Sequence, residues 1–230
     1  MRKFKRVLIA NRGEIAIRII RACRELGIRS VAIYSEEDRN TLFREKADEA
    51  YQIGKGKAPV DAYLSIDEII DLAKAKGVDA IHPGYGFLSE NAAFAEACAK
   101  AGIEFIGPTH EMMQRLGDKI QSKLVAHEVG VPTIPGVDKD IEDEDEAEKI
   151  AAECGYPVML KAAAGGGGRG MRIVRTPDKI REEFRSAKSE AKKAFGIDDM
   201  FIEKYVERPK HIEVQVLGDK HGNLVHLYER

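Results

Sequence analysis

The sequence predicts an α/β protein: a parallel sheet with helices on both faces, followed by an α+β unit and a β-hairpin. Three observations carry this. Apolar runs of four to six residues alternate with helical patterns through the first half, and short continuous runs fit strands buried on both sides. A cluster from Pro132 to Gly136 marks a connection into a second unit. The segment from His211 to Arg230 reads as two alternating runs around Gly218–Asn223, which is a hairpin pattern.

In chain order, VLIA is the first strand and Glu14 to Leu26 the first helix. SVAIYS follows, then a polar turn at Asp38, Arg39 and Asn40, then AYQI. A helix from Ser65 to Lys76, the strand VDAIHPG, a helix from Asn91 to Lys100 and the strand EFIGP complete the first part. Ser65 with Glu68 three residues on predicts a capping box. Gly27, Gly77 and Gly102 each follow a helical stretch, as C-terminal glycines do. In the second unit, Asp138 to Glu148 is strongly acidic and precedes AEKIAAECG. Carboxylates at a helix start complement its dipole, so this stretch reads as a solvated helix entrance rather than a partner-binding patch. Strands Pro157–Ala162, Met171–Arg175 and Met200–Tyr205 and a helix from Pro177 to Phe195 fill out the unit. Two strands alone are marginal in water, so the final hairpin reads as the first piece of a third domain. No internal repeat is visible.

The chain has 230 residues, 33% charged and 43% hydrophobic, with a net charge of -2. That composition is ordinary for a soluble globular protein of one or two domains. The near-zero charge points to neither nucleic acid nor an acidic membrane as partner. No apolar run approaches a membrane span. The opening MRKFKRVLIANRGE has only VLIA as its apolar run, so it reads as a first strand, not a secretory signal. Cys23, Cys98 and Cys154 are odd in number and widely spaced. Cys23 and Cys98, on apolar helical stretches, suggest buried small hydrophobes, and the set points to a reducing, cytoplasmic setting and not to zinc ligands.

KAAAGGGGRGMRIVR, from Lys161 to Arg175, is the most informative stretch. Glycines let backbone N–H groups crowd an anion at little steric cost, and Lys161 and Arg169 add positive charge. Gly170 leads into a strand, not a helix, so neither a Walker A loop nor a dinucleotide fingerprint fits. Strand, glycine loop, strand describes a flap over phosphates with Lys161 beneath. The bland alternative is a low-complexity exposed loop.

Five segments occur in one order: IANRGEIAIRIIRACRELG, IHPGYGFLSEN, GDK at Gly117 to Lys119, the glycine loop, and EKYVERPKHIEVQV. Together they resemble the biotin carboxylase component of biotin-dependent carboxylases, which are ATP-grasp enzymes. The resemblance covers the whole chain. KADEAY, KSEAKKAFG and PKHIEVQVLGDKHGNLVHLYER are most similar to the pyruvate carboxylase branch. The resemblance implies a Rossmann-like pre-ATP-grasp domain at 1–116, a linker helix at 117–133, an ATP-grasp lid at 134–205, and the truncated start of the ATP-grasp C-terminal domain at 206–230.

It also implies roles. Lys119 and Lys161 would contact the nucleotide phosphates. Gly165, Gly166, Gly167 and Gly168 would form the flap, with Ala164 where some relatives carry a further glycine. Glu203, Lys204, Tyr205 and Val206 would hold adenine, and His211 would lie near the ribose. Taken alone, Lys119 reads as a surface lysine, EKYVER as a strand end and His211 as a solvated histidine. His211, Glu213 and Gln215 share one strand face. The loops with Asn11, Arg12, Gly13 and Glu14, and with His82, Gly84, Tyr85, Gly86 and Asn91, either face the nucleotide or support the fold. The balance favours support. Implied cofactors are ATP, Mg2+ or Mn2+, and biotin on a separate carrier domain. Implied partners are bicarbonate, the carrier and carboxyltransferase domains, and further copies in a homo-oligomer. The resemblance places the metal-binding glutamates and the bicarbonate and biotin residues beyond the equivalent of Arg230, with no metal ligand within these residues. This stretch is therefore expected to be inactive by itself. The rivals are another biotin-dependent acyl-CoA carboxylase, another ATP-grasp ligase, or a non-catalytic nucleotide-binding scaffold module.

Overall fold

The computed structural model describes residues 4–117, 119–137, 139–162, 171–196 and 198–230. It divides after Val131 into two compact units.

The first unit runs β1 Arg6–Ile9, α1 Gly13–Glu25, β2 Arg29–Tyr34, α2 Leu42–Lys46, β3 Glu49–Gln52, α3 Pro59–Tyr63, α4 Ile66–Ala75, β4 Ala80–His82, α5 Ala92–Lys100, β5 Glu104–Phe105, α6 His110–Gly117 and α7 Lys119–Glu128. Its sheet has the order β3-β2-β1-β4-β5, every pair parallel. Alternation along β1 explains why VLIA is apolar throughout. Leu8 joins a core with Ile33, Ile69, Phe94 and Cys98, while Val7 and Ile9 join another with Ile19, Ile20 and Cys23. Both faces of the sheet are therefore covered, as expected. At the end of α1, Gly27 takes φ 66°. That left-handed turn lets Leu26 donate to the Ala22 carbonyl and Ile28 to that of Cys23, satisfying the last turn.

One expectation is corrected. Ser65 and Glu68 form no capping box. The Ser65 hydroxyl donates to the Asp61 carbonyl and accepts from Lys57, and Glu68 accepts the Gly54 N–H at 2.9 Å. The reason is α3, which ends just before Ser65 and offers its carbonyl at closer range. The short helices α2 and α3 escaped the sequence reading, because five residues show too little period to register.

The second unit runs β6 Gly136–Val137, α8 Glu144–Cys154, β7 Val158–Ala162, β8 Met171–Val174, α9 Ile180–Phe195, β9 Met200–Lys204, β10 Val214–Gly218 and β11 Leu224–Glu229. The antiparallel sheet has the order β6-β9-β7-β8. Val158, Leu160, Ala162, Val174, Met200 and Ile202 point to one face and pack with Ile150, Ile180 and Phe184 of the two helices. Asp143 caps α8, accepting the Glu146 N–H at 2.9 Å. The acidic entrance is partly engaged rather than merely solvated. Glu144 pairs with Arg185, and Asp145 and Glu148 with Arg181 of α9.

The hairpin β10–β11 forms as expected, with a bulge between Val214 and Val216. The Asp219 carboxylate accepts the N–H groups of His221 and Asn223, closing the turn. Every residue from Val206 to Arg230 is exposed.

Candidate functional site

The second sheet has a face that the helices do not fill. Register aligns it in two rows: Ile173, Met159, Glu203 and Gly136 in one, Met171, Lys161 and Phe201 in the other. Met171 and Ile173 are 46% and 40% exposed, and Met159 and Phe201 are half-buried. Lys161 on β7 and Glu203 on β9 lie diagonally across the ladder, and the ammonium donates to the carboxylate. Glu203 is only 6% exposed. A carboxylate so withdrawn from water requires a partner, and Lys161 supplies it. Gly136 is needed beside it. A Cβ there would sit 2.7 Å from the Ile202 carbonyl oxygen and 3.1 Å from Glu203 Cγ. The result is a shelf of thioether, aliphatic and aromatic side chains with one ion pair at its centre. Such a surface suits a ligand that joins a flat apolar ring to an anion.

The other expected residues divide. Lys204 points its ammonium away, donating to the carbonyls of Gly155 and Tyr156 at 2.8 Å each. Its N–H donates to the Pro135 carbonyl at 2.8 Å, and that of Tyr205 to Pro157 at 3.0 Å. Those two N–H groups are thus spent within the fold. The Tyr205 ring has the Arg175 guanidinium 5.9 Å from its centroid, and Val206 is exposed. His211 is exposed and pairs with Glu213 at 2.7 Å, holding the Glu213 carboxyl below its ordinary range. Gly165, Gly166, Gly167 and Gly168, with Ala164, Arg169 and Gly170, lie outside the described residues. Lys119 opens α7 in the first unit, and its side chain is likewise outside them.

The sequence reading missed Gly136, Met159, Met171, Ile173 and Phe201. Alternation within VMLKA and MFIEK pairs Met159 with Lys161 and Phe201 with Glu203. Only the register between strands sets the two pairs side by side.

In the first unit, the chain reverses direction across the sheet between β1 and β4. In parallel α/β sheets that point opens a ligand crevice. Here Asn11 closes it. Its buried amide donates to the carbonyls of Pro83 and Tyr85 at 2.7 and 2.8 Å. Gly84 leaves room for that amide, since a Cβ there would come within 2.7 Å of it. His82 Nδ1 accepts the Gly84 N–H at 3.0 Å, and burial pushes the imidazole below its ordinary value. Arg12 reaches Asp38, which also accepts the Tyr63 hydroxyl at 2.7 Å. Burial, then that bond, drives the Tyr63 phenol upward. These groups satisfy one another, so they hold the two loops together rather than offering a vacant crevice.

Among the described residues no group of three or more His, Cys, Asp or Glu side chains is placed to hold a metal ion. No helix there is long and apolar enough to cross a membrane.

A parallel α/β unit followed by an antiparallel α+β unit, with a lysine on its open sheet, defines a protein of the ATP-grasp architecture. Residues 3–113 match the family described as biotin carboxylase, N-terminal domain. Residues 118–230 match that described as carbamoyl-phosphate synthase L chain, ATP binding domain. Pyruvate carboxylase of Bacillus subtilis is 58% identical over 98% of this chain and 20% of its own length. The mitochondrial pyruvate carboxylase of Mus musculus is 56% identical over 98% of this chain and 19% of its own. A solved structure of the biotin carboxylase domain dimer of Hydrogenobacter thermophilus 2-oxoglutarate carboxylase, in complex with MgADP, ADP and bicarbonate, aligns over 100% of this chain and 50% of its own. Its TM-score is 0.81 and its identity 55%. The chain thus joins a biotin carboxylase N-terminal domain to an ATP-binding domain, and it spans about a fifth of the length of the pyruvate carboxylases it matches.

Proposed function

We propose that this chain supplies the nucleotide-binding part of a biotin carboxylase, of the kind that serves pyruvate carboxylases. The observation that carries the reading is the Lys161–Glu203 pair set in an apolar shelf on an open sheet face. The shelf takes the purine and Lys161 takes phosphate oxygens, an ammonium being a compact charge for that purpose. The glycine run from Gly165 to Gly168 follows Lys161 directly in sequence and completes the phosphate contacts in this reading. Lys119 adds a second cation. Glu203, Lys204, Tyr205 and Val206 lie along the adenine, and His211 near the ribose. Because the Lys204 side chain is held by carbonyls, its contribution is through the backbone.

In the whole protein the reaction is ATP-dependent. Bicarbonate attacks the γ-phosphate, giving carboxyphosphate and ADP, and carbon dioxide passes to a ring nitrogen of biotin on a carrier domain. A carboxyltransferase domain then delivers it, to pyruvate in this reading. Divalent metal, Mg2+ or Mn2+, offsets phosphate charge in such transfers. The described residues offer no group of three or more His, Cys, Asp or Glu side chains to hold it. Assembly as a homo-oligomer and a cytoplasmic setting belong to the same proposal. The alternatives of another ligase or a scaffold module have less support, since both halves of the chain align with carboxylases.

Calorimetric titration with ADP tests the reading. Lys161→Met removes a charge-assisted contact worth about 1.5–3 kcal/mol, so affinity falls roughly 10- to 100-fold. Unchanged ADP affinity in that variant would refute it.

A further inference from the structure

We infer that Glu203 is a selectivity gate, an internal anion that masks Lys161 so that the site refuses phosphates without a ring. This rests on the proposed nucleotide reading and deepens it.

The masking is electrostatic. Lys161 lies on the open face of this sheet, and its ammonium is engaged by Glu203. The pair presents no net charge. An inorganic phosphate approaching Lys161 meets the carboxylate at nearly the same range, and attraction and repulsion offset each other. Glu203 does not swing away easily. It is almost fully buried and hemmed by Gly136, whose missing Cβ is what leaves room for Glu203 Cγ. A ring-bearing phosphate differs. Its flat apolar part gains by covering Met159, Met171, Ile173 and Phe201, a gain independent of charge. Ring burial therefore precedes phosphate capture, and the ammonium, with three donors, serves carboxylate and phosphate together. The selected ligand class is the nucleoside polyphosphate, and the rejected class is free polyphosphate.

The test is titration of the full chain and of Glu203→Gln with ADP and with inorganic tripolyphosphate at one fixed, low ionic strength. Glutamine keeps the volume and an acceptor but removes the charge. In the unaltered chain tripolyphosphate binds at least about tenfold more weakly than ADP. In Glu203→Gln tripolyphosphate binding tightens roughly 10- to 100-fold, the scale of one removed like-charge repulsion. A loss of structure alone cannot produce that gain. Unchanged or weaker tripolyphosphate binding in the variant overturns the gate, as does absence of tripolyphosphate binding in both proteins. Absent ADP binding in the unaltered chain, with tripolyphosphate still gained by the variant, refutes the nucleotide reading while leaving the gate intact. If Glu203→Gln does not fold, Glu203→Asp draws the carboxylate back by one methylene. It is then expected to raise tripolyphosphate affinity less but in the same direction, and no rise overturns the proposal.

Discussion

Replacing Lys161 by methionine probes the open sheet face most sharply. The Glu203 side chain is 8% exposed and that of Lys161 26%. Removing one partner of a fully buried pair costs roughly 3–5 kcal/mol. An exposed pair is worth under about 1 kcal/mol. With the lysine a quarter exposed, the expected loss lies between these, about 2–3 kcal/mol. For a unit of this size that is a fall in Tm of about 10–20 °C. The chain contains no tryptophan, so far-UV circular dichroism is the global readout. Hydrogen exchange at the β7 and β9 amides attributes the loss to the second unit. Lys161→Met with Glu203→Leu removes the stranded carboxylate and recovers most of the loss, because an apolar pair replaces an ionic one at little net cost. A single variant within about 0.5 kcal/mol of the unaltered chain would refute the reasoning. So would a double variant no better than the single one.

Phe184 is 2% exposed between α9 and the sheet, so Phe184→Ala is expected to cost about 3–5 kcal/mol in urea unfolding. Arg181→Ala, which breaks the exposed pairs to Glu148 and Asp145, is expected to cost far less, since solvent screens such pairs; the reverse ranking would contradict the packing described. Asn11→Ala strips two carbonyls of their donor and is expected to cost about 2–3 kcal/mol by thermal unfolding. ADP affinity should stay unchanged in that variant, since the nucleotide is proposed to bind on the sheet of the second unit. The Asp48 carboxyl is held below its ordinary range, first by the Ser30 hydroxyl and then by the Ser30 N–H. A depressed folded-state value stabilises above the unfolded value, about 3.9, and that contribution disappears as pH falls through the folded one. The stability gap between the unaltered chain and Asp48→Asn should therefore be full at neutral pH and shrink below about pH 4; a gap that widens on acidification would contradict the assignment.

Much of the fold was legible. Doubly covered strands announce themselves as unbroken apolar runs, and VLIA and SVAIYS did so. The helix ends at Gly27, Gly77 and Gly102 were readable because left-handed closure selects glycine, and all three have positive φ. The Ser65–Glu68 capping box was misread because a local pattern was judged without α3, whose last turn competes for the serine. At the site, Lys161 and Glu203 were each visible in sequence, but their pairing was not. Forty-two residues separate them, and only the register of β7 against β9 brings them together. The apolar shelf was hidden for the same reason. Met159 and Phe201 look like ordinary core residues until the register shows that they face away from the helices. Asn11 and His82 were visible in sequence as loop positions after parallel strands, a place that fits a ligand crevice as well as support of the fold. Their hydrogen-bond partners were not, because those are loop carbonyls and amides about seventy residues away in the case of Asn11.

The central claim is that the open face of the second sheet carries the nucleotide. Amide hydrogen exchange with and without ADP addresses it directly. ADP is expected to add protection in Val158–Ala162 and Met200–Lys204, and none in the loops around Asn11 and Gly84. Protection confined to those two loops, with β7 and β9 unaltered by ADP, would contradict it.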